Sequence, residues 1–454
     1  MADYSGPVEE LAHQIATNRP RLDLSADYYE ATYRLQAIGL AVPPEMRALT
    51  AHIGWPRMYL DSLEERLDIE GFRLGQDTGA VDRLSDWWQA NSLDEESGLA
   101  HLDAFIYGRS YVTVAAPSDE DEPGVPVIRV ESPVSMLAET DPRTRRVTRA
   151  LRLYRSSDQT WATLYLPDRT VPMTLRRDRW EVDGPVVEHR LGIVPVVPLL
   201  NRERLSDRHG RSEITPEIRS LTDAASRIMM DMQAAAEIMA VPQRVLFGVE
   251  AEDVAGGGTP TEIMDAYLAR ILAFENEGGK AFQFTAAELR NFVEVLEQLA
   301  KHVASYTGLP PQYLAYNSDN PASAEAIRSS EARLVKKSER KARMFGGAWE
   351  SVMRLAIRVI DGSVAPELNR LEVVWRDPST PTFAAKADAV MKLYAGGTGI
   401  IPREQARIDM GYTLEQRDEM RRLDDADPLS RLNALVGSPA DAQAADAGRF
   451  ETAA

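Results

Sequence analysis

Carboxylate pairs are the first residues in this chain whose types and spacing could support chemistry. Examples are Glu64-Glu65, Glu95-Glu96 and Asp424-Asp425. Two carboxyl groups held at one site can divide the roles of general acid and general base. Adjacent side chains diverge on a helix, however, and solvated charge is the usual explanation of such pairs. The pairs therefore predict exposed surface more strongly than a catalytic site.

Nothing else in the sequence has the spacing of a catalytic or metal-binding motif. The six histidines are scattered singly, so we expect solvated or hydrogen-bonded side chains rather than metal ligands. HExxH and the GxxxxGK[ST] phosphate loop are both absent, which disfavours a zinc hydrolase and a motor ATPase. The chain has no cysteine, which excludes disulfides and thiolate chemistry. No catalytic residue, metal or cofactor is predicted.

The surplus of acidic residues leaves one enzymatic hypothesis open. The chain has 70 acidic and 52 basic side chains, a formal net charge of -18. Aspartate and glutamate holding a divalent ion could hydrolyse phosphoesters, so the alternative function is a metal-dependent carboxylate hydrolase acting on nucleic acid. The same charge disfavours tight non-specific DNA binding, because neutralising phosphates requires basic side chains.

Two charge patterns are candidate interaction sites. The run KKSERKAR, residues 336–343, either contacts phosphates through Lys336, Lys337 and Arg340 or forms an outer helix face that pairs with a neighbour's acids. The other pattern alternates in sign every four residues. It consists of Arg219, Asp223, Arg227 and Asp231. These four either form pairs within one helix or set the register against an identical helix of a neighbouring subunit.

The first half of the chain reads as α+β. Helix-like segments between residues 27 and 70 end in ERLDIEGF, which predicts a helix running into a short strand. Two packed helices are predicted around an Asn91-Ser92 turn, and Gly108 leads into a strand. Five short β-rich runs follow between residues 125 and 200, separated by Asp-Pro, Pro-Asp and Asp-Gly turns. They predict an antiparallel sheet.

The second half is dominated by long helices. Thr215 and Pro216 predict an N-cap and first helical position. A compact insertion follows Val241-Pro242, with a strand RVLFGV, a short helix and a strand pair, before a second amphipathic helix. After a polar loop, Asn320-Pro321 predicts the start of a long helix that Gly346-Gly347 interrupts. A strand, LEVVWRD, three helical segments and an Ala-, Asp- and Gly-rich tail complete the chain.

This order of elements resembles the portal proteins of tailed bacteriophages, in the branch common among phages with long non-contractile tails. The resemblance spans about Asp27 to Asp427 and rests on an ordered series of segments. These are the Tyr28-Tyr29 region, WPRMYLDSLEERLDIEGF, YGRSYVTV leading to VESP, SEITPEIRSL, and GLPPQYLAYNSDNPASAEAIR.

The resemblance implies a division of the chain into the parts of a portal protomer. The implied parts are an α+β wing at 1–213, a first stem helix at 214–240, a clip at 241–285, a second stem helix at 286–307, a tunnel loop at 308–322, a long kinked helix with a returning wing strand at 323–378, crown helices at 379–430 and a mobile tail at 431–454. As in that family, we expect no enzymatic activity.

The resemblance also implies an assembly and its partners. Typically twelve copies would form a ring at one capsid vertex of the virion, after assembly in the host cytoplasm, with double-stranded DNA passing along the axis. Tyr316, Asn317, Ser318, Asp319 and Asn320 would face that channel and meet the DNA backbone without reading bases. Twelve chains at -18 would carry a formal -216, a repelling wall that lets a polyanion slide. Terminase, a head-tail adaptor, capsid and scaffolding proteins are the expected partners, with no membrane.

Overall fold

A computed structural model describes most of the chain and divides it into two units, Met1–Trp375 and Arg376–Ala454. The described residues are 3–33, 51–74, 78–156, 159–240, 244–247, 271–274, 289–314, 324–379, 383–412 and 414–426. Helices and strands are segregated within the first unit, which confirms the α+β prediction.

In its described residues, the first unit begins with four helices and one strand. These are α1 (Ser5–Tyr29), α2 (Trp55–Glu64), β1 (Ile69–Arg73), α3 (Thr78–Ala90) and α4 (Leu93–Tyr107). The predicted helix-to-strand step at ERLDIEGF and the turn at Asn91-Ser92 are confirmed. Helix α1 is an addition to the predicted set, because the predicted helical segments begin only at residue 27. Val8, Leu11 and Ile15 recur at helical spacing and are buried, although polar neighbours and Pro20 obscure that pattern.

The β-rich region forms two antiparallel sheets rather than the single sheet predicted. β2 (Arg109–Ala115) lies between β3 (Val127–Glu131) and β9 (Val196–Leu200). The second sheet follows chain order through β4 (Met136–Thr140), β5 (Val147–Ser156), β6 (Gln159–Tyr165), β7 (Thr170–Arg176) and β8 (Arg179–Val182). Helix α1 packs on one face of this sheet through its buried apolar residues. Strands β4 and β9 are additions to the predicted set.

Two long helices and a parallel strand pair follow. α5 (Pro216–Ala240) packs against α6 (Leu289–Thr307), and β10 (Arg244–Phe247) pairs with β11 (Ile271–Phe274). The predicted entry to α5 is confirmed, because the amide of Arg219 donates to the Thr215 carbonyl at 3.0 Å. The predicted short helix and the second strand of the predicted strand pair lie outside the described residues.

The longest described helix packs against β2 and β9 of the three-stranded sheet and against the last strand of the first unit. A single turn, α7 (Pro311–Leu314), precedes α8 (Ala324–Asp361), and β12 (Glu372–Trp375) then pairs antiparallel with β1. Helix α8 continues through Gly346-Gly347, so the predicted interruption is wrong. The reason is packing: a Cβ on Gly346 would lie 3.2 Å from the Trp375 indole nitrogen, so the glycine allows close approach of β12. The predicted N-cap at Asn320-Pro321 lies outside the described residues.

The second unit contains the three helices that the sequence predicts. They are α9 (Phe383–Tyr394), α10 (Arg403–Met410) and α11 (Leu414–Ala426). Arg403 and Arg407 of α10 both pair with Asp424 of α11. The tail predicted at 431–454 lies outside the described residues. In the part of the chain that the structure describes, no helix is long and apolar enough to cross a membrane.

Candidate functional site

A buried carboxylate lies where α5, α8 and the sheet around β2 meet. Glu213, 3% exposed, stands three residues before α5, and its amide donates to the Phe105 carbonyl at the end of α4. Lys341 of α8, 2% exposed, donates from its ammonium to Glu213 Oε1 and, at 2.7 Å, to Asn201 Oδ1. The Asn201 amide in turn donates to Glu213 Oε1 at 2.9 Å. This group joins the end of β9, the start of α5 and the middle of α8.

The second oxygen of the same carboxylate is equally well satisfied. Lys337, one helical turn before Lys341, lies 2.8 Å from Glu213 Oε2, and the Tyr59 hydroxyl of α2 donates to that oxygen at 2.6 Å. Lys337 also contacts the Tyr59 hydroxyl and lies over the tyrosine ring. Buried charge is tolerated only when it is paired and hydrogen-bonded. We call Glu213, Lys337, Lys341, Asn201 and Tyr59 the ion cluster.

The surroundings fix the charge states of the ion cluster. Burial by itself raises the pKa of Glu213, but the two nearby ammonium groups outweigh burial and hold that pKa well below its ordinary value. Burial and the adjacent Glu213 carboxylate raise the pKa of Tyr59 well above its ordinary value. The carboxylate is therefore ionised and the phenol neutral at neutral pH. Both carboxylate oxygens accept hydrogen bonds from donors of the same chain. The arrangement therefore favours a structural role over proton transfer.

A buried histidine contacts α8 at positions one and two helical turns after Lys341. His101 of α4 is fully buried, stacks on Phe345 at 5.0 Å between ring centroids, and accepts a hydrogen bond from the Trp349 indole at 2.9 Å. Burial lowers the pKa of His101 to about 3, so the ring is neutral. Its Nδ1 has no hydrogen-bond partner among the described residues. Together with Trp88, these rings attach α8 to α3 and α4.

A third polar group lies at the N-terminal end of α8. The Tyr313 hydroxyl of α7 donates to Glu331 Oε1 at 2.7 Å, and Arg66, just after α2, lies 3.5 Å from the same carboxylate oxygen. Arg66 also donates to the Tyr313 hydroxyl at 3.3 Å. The side chains of Arg66 and Glu331 are only 10% and 12% exposed. We call Tyr313, Glu331 and Arg66 the anchor triad.

The four residues that alternate in sign along α5 divide into two groups. Arg219 and Asp223 contact α1 of the same chain: the Tyr28 hydroxyl lies 3.0 Å from each Asp223 oxygen, and Arg219 donates to Ser25 at 3.0 Å. Arg227 is exposed and Asp231 is half-buried. Arg219 and Asp223 are therefore both engaged within one protomer, although Arg219 Nε is buried without a hydrogen-bond partner among the described residues. A subunit interface at this face stays a prediction.

The basic run of α8 also separates into inner and outer residues. Lys337 belongs to the ion cluster, so its ammonium is engaged in the interior rather than presented to a phosphate. Lys336 pairs with Glu339 at 2.6 Å on the exposed face, and Arg340 is exposed. Phosphate contacts by Lys336 and Arg340 stay predictions. The residues predicted to face the channel, Tyr316, Asn317, Ser318, Asp319 and Asn320, lie outside the described residues.

The acidic pairs are not assembled into a site. Glu64 is half-buried, and burial raises the pKa of that carboxyl. Glu95 and Glu96 lie in the first turn of α4, where acidic side chains favour the helix dipole. Within the described ranges, no group of three or more histidine, aspartate or glutamate side chains is arranged to hold a metal ion.

Sequence reasoning missed the central lysine of the ion cluster, although a signal for it was present. Lys341 stands in the helical repeat formed by Leu334, Phe345, Trp349 and Val352, all of which are buried. A lysine at a core position of an amphipathic helix requires a buried acidic partner. The partner itself could not be read from the pattern, because Glu213 lies in an irregular segment 128 residues away.

The sequence is similar to a known protein family along most of its length. The family model described as "Phage portal protein, SPP1 Gp6-like" matches residues 8–426, so the similarity begins within α1 rather than at Asp27. The portal protein of Mycobacterium phage L5 is 52% identical over 443 residues, covering 96% of this chain and 91% of that protein. The portal protein of Mycobacterium phage D29 is 51% identical over 451 residues, covering 97% and 93%.

One solved structure completes the comparison. A chain from "Neck of native GTA particle computed with C12 symmetry" is 15% identical, with a TM-score of 0.39, and covers 87% of this chain and 99% of that chain. The family match over nearly the whole length and the two relatives at about half identity are decisive: the chain belongs to the phage portal protein family.

Proposed function

We propose that this chain assembles into a closed ring, typically of twelve copies, that forms a channel for double-stranded DNA at one capsid vertex. The observation that carries the proposal is the family match across residues 8–426. Membership of the portal family makes the chain a structural protein of a virion. Packaging and ejection of DNA through the channel, and assembly of the ring in the host cytoplasm, are parts of the proposal.

The exposed apolar residues of α6 support association between copies. Val293 and Val295 are each 44% exposed and Tyr306 is 59% exposed, although α6 already packs against α5. Apolar area of this kind on a long helix gains stability when a neighbouring surface covers it. A heterologous interface repeats around an axis and closes into a ring when its rotation is correct. Residues 214–240 and 286–307 are the proposed stem helices.

Charge supports a channel that carries DNA without holding it. The chain has a formal net charge of -18, and repulsion between like charges keeps DNA from binding the wall. Tyr316, Asn317, Ser318, Asp319 and Asn320 are the proposed channel-facing residues. Terminase docked at the clip, a head-tail adaptor, capsid and scaffolding proteins are the proposed partners. The proposed role is structural and requires no catalysis, and no observation favours the hydrolase.

The ring is tested by native mass spectrometry of the purified chain. Twelve copies of the 50.4 kDa chain form a species of about 605 kDa. Electron microscopy of the same sample should show closed rings with a central channel. A sample that contains only 50.4 kDa chains at micromolar concentration in both low and high salt would contradict the assembly.

The channel loop is tested separately, by replacing Asn317, Ser318 and Asp319 with glycine and serine. The proposal expects altered packaging yield or DNA retention with a change in stability within about 0.5 kcal/mol, as for other surface substitutions. A thermal melt and a packaging assay on the same variant provide the two measurements. A large loss of melting temperature with normal packaging would instead make the loop a structural connection.

A further inference from the structure

The anchor triad connects three segments that are far apart in the sequence. Tyr313 is separated from Glu331 by 18 residues and from Arg66 by 247 residues, yet all three side chains meet within hydrogen-bonding or ion-pair distance. Tyr313 and Glu331 stand on the two sides of residues 315–323. Arg66 comes from the turn that links α2 to β1, inside the first unit. The triad therefore ties both sides of that stretch to one point of the protein body.

Two further contacts join α8 to α7 and to the end of α6. Gln312 donates to the Ser330 hydroxyl at 2.8 Å, and Arg333 donates to the Ser305 carbonyl at 2.6 Å. Gly308, at φ +83°, leaves room for the Arg333 side chain, whose Cγ would lie 3.1 Å from a Cβ at that position. These contacts lie on the exposed side, whereas Glu331 and Arg66 are almost fully covered. The triad is thus the part of the connection that is shielded from water.

Helix α7 depends on these contacts for its position. It is a single turn of four residues, and a single helical turn has no stability of its own in water. A hydrogen bond from a hydroxyl to a carboxylate is stronger than one between neutral groups, more so where water is excluded. Burial, and then the hydrogen bond to the Glu331 carboxylate, raise the pKa of Tyr313, so the phenol remains a donor.

We propose that Tyr313, Glu331 and Arg66 are positioning residues that fix where the chain leaves α7 and where it enters α8, and so set the placement of the channel-facing residues between them. This inference rests on the proposed function, since it assigns a role in DNA handling to the segment between the two helices. The triad acts through the backbone on its two sides and does not itself contact DNA.

The test compares two tyrosine-to-phenylalanine variants in assembled rings. Tyr313→Phe keeps the half-buried ring and removes the hydroxyl that donates to Glu331. Tyr154→Phe is the matched control, because it removes a hydroxyl from a tyrosine of β5 that is 44% exposed. We expect amide hydrogen exchange across residues 311–314 and 324–331 to be about tenfold faster in Tyr313→Phe, equivalent to about 1.4 kcal/mol, and unchanged in the control.

A third variant and a functional readout separate positioning from simple stability. Glu331→Gln keeps an acceptor for Tyr313 but removes the carboxylate that pairs with the largely buried Arg66, so its exchange should rise at least as much as in Tyr313→Phe. DNA retained in particles should fall in Tyr313→Phe, with ring yield and melting temperature as in the control.

The outcomes keep the inference and the proposed function apart. Unchanged exchange in Tyr313→Phe, or faster exchange with normal DNA retention, overturns the positioning role. If the unaltered chain forms no rings by native mass spectrometry, the proposed function fails first, and exchange in the single chain still tests the anchor triad.

Discussion

Glu213 shows what a charged residue requires in the interior of this protein. Its two oxygens accept from four groups on three different segments, and without its charge the buried Lys341 keeps a longer ion pair, 3.7 Å from Oε1 of the more exposed Glu203. We expect Glu213→Gln to lower the free energy of unfolding by about 3 kcal/mol, the lower end of the cost of an uncompensated buried charge, because Glu203 compensates only in part. Lys336→Met is the control. Its ammonium is in an exposed pair, so we expect a change below about 0.5 kcal/mol. Urea unfolding of both variants measures the difference. Similar midpoints would contradict the stabilising role of the ion cluster.

His101 makes the stability of the fold depend on pH. Burial depresses the folded-state pKa to about 3 from an ordinary value of 6.5, so below pH 6.5 the unfolded chain binds a proton that the folded chain does not. The stabilisation from His101 is therefore complete above pH 6.5 and is lost as pH falls towards 3. The slope approaches about 1.4 kcal/mol per pH unit for one such group.

A His101→Gln variant isolates this contribution. Both proteins share every other titrating group, so subtracting their unfolding free energies between pH 4.5 and 6.5 leaves the effect of His101. Glu213 also contributes stability that is lost as pH falls, but at lower pH, because the pKa of its carboxyl is depressed in the folded state. Parallel stability curves for the two proteins would show that His101 takes up its proton without unfolding.

At the residue scale, local signals were predictable and long-range partners were not. The Thr215-Pro216 start of α5 follows from capping rules that involve only neighbouring residues. The exposed state of Lys336 follows equally from its position on the outer face of α8. Lys337 lies next to it on the same run, yet it turns inward because Glu213 and Tyr59 happen to lie there. Only the fold brings those partners together.

At the scale of elements, α8 illustrates how packing overrides propensity. Each glycine in a helix interior costs about 1 kcal/mol relative to alanine, and a pair predicts an interruption. The helix continues because Gly346 faces β12, where its lack of a side chain admits Trp375. Gly347 is exposed and a Cβ there would meet nothing within 4 Å. The two glycines therefore have different roles despite being adjacent.

This difference gives a matched pair of variants. Gly347→Ala should raise the free energy of unfolding by about 0.5 to 1 kcal/mol, since it gains helix propensity without a new contact. Gly346→Ala gains the same propensity but must displace the Trp375 indole, and overpacking of this kind typically costs about 1 to 3 kcal/mol. We expect Gly346→Ala to be the less stable of the two in thermal melts. A higher melting temperature for Gly346→Ala than for Gly347→Ala would mean that β12 moves to accommodate the added methyl group.

The elements that sequence reasoning missed share a physical cause. Helix α1 was missed because its apolar residues form a narrow stripe among polar ones, and it becomes evident only against the sheet that covers it. The pairing of β1 with β12 joins Arg73 to Glu372 across 299 residues, and alternation within either strand does not specify such a partner. Strand and helix existence was readable from periodicity, whereas the division into two sheets depended on tertiary contacts.

At the scale of the whole molecule, the polar contacts of α8 and α5 hold the protomer together from inside. The ion cluster attaches the start of α5 to the middle of α8, and Arg219 and Asp223 attach α5 to α1. A neighbouring subunit can therefore bind only the parts of α5 that are not already in contact with α1 or α8. On α5 that part begins at Arg227, which is exposed. The subunit interface predicted along α5 narrows to Arg227 and Asp231.

The last prediction tests that interface. Arg227→Glu places a negative charge four residues from both Asp223 and Asp231, and opposite any acid of a facing subunit, so we expect loss of rings with the protomer fold retained. Arg179→Glu, at an exposed position of β8, changes the net charge by the same two units and is the control. Native mass spectrometry across a salt series measures assembly, and circular dichroism checks the fold.

Salt should partly restore rings of Arg227→Glu, because screening weakens repulsion between exposed charges. Rings that form equally in both variants at low salt would exclude Arg227 from the subunit interface.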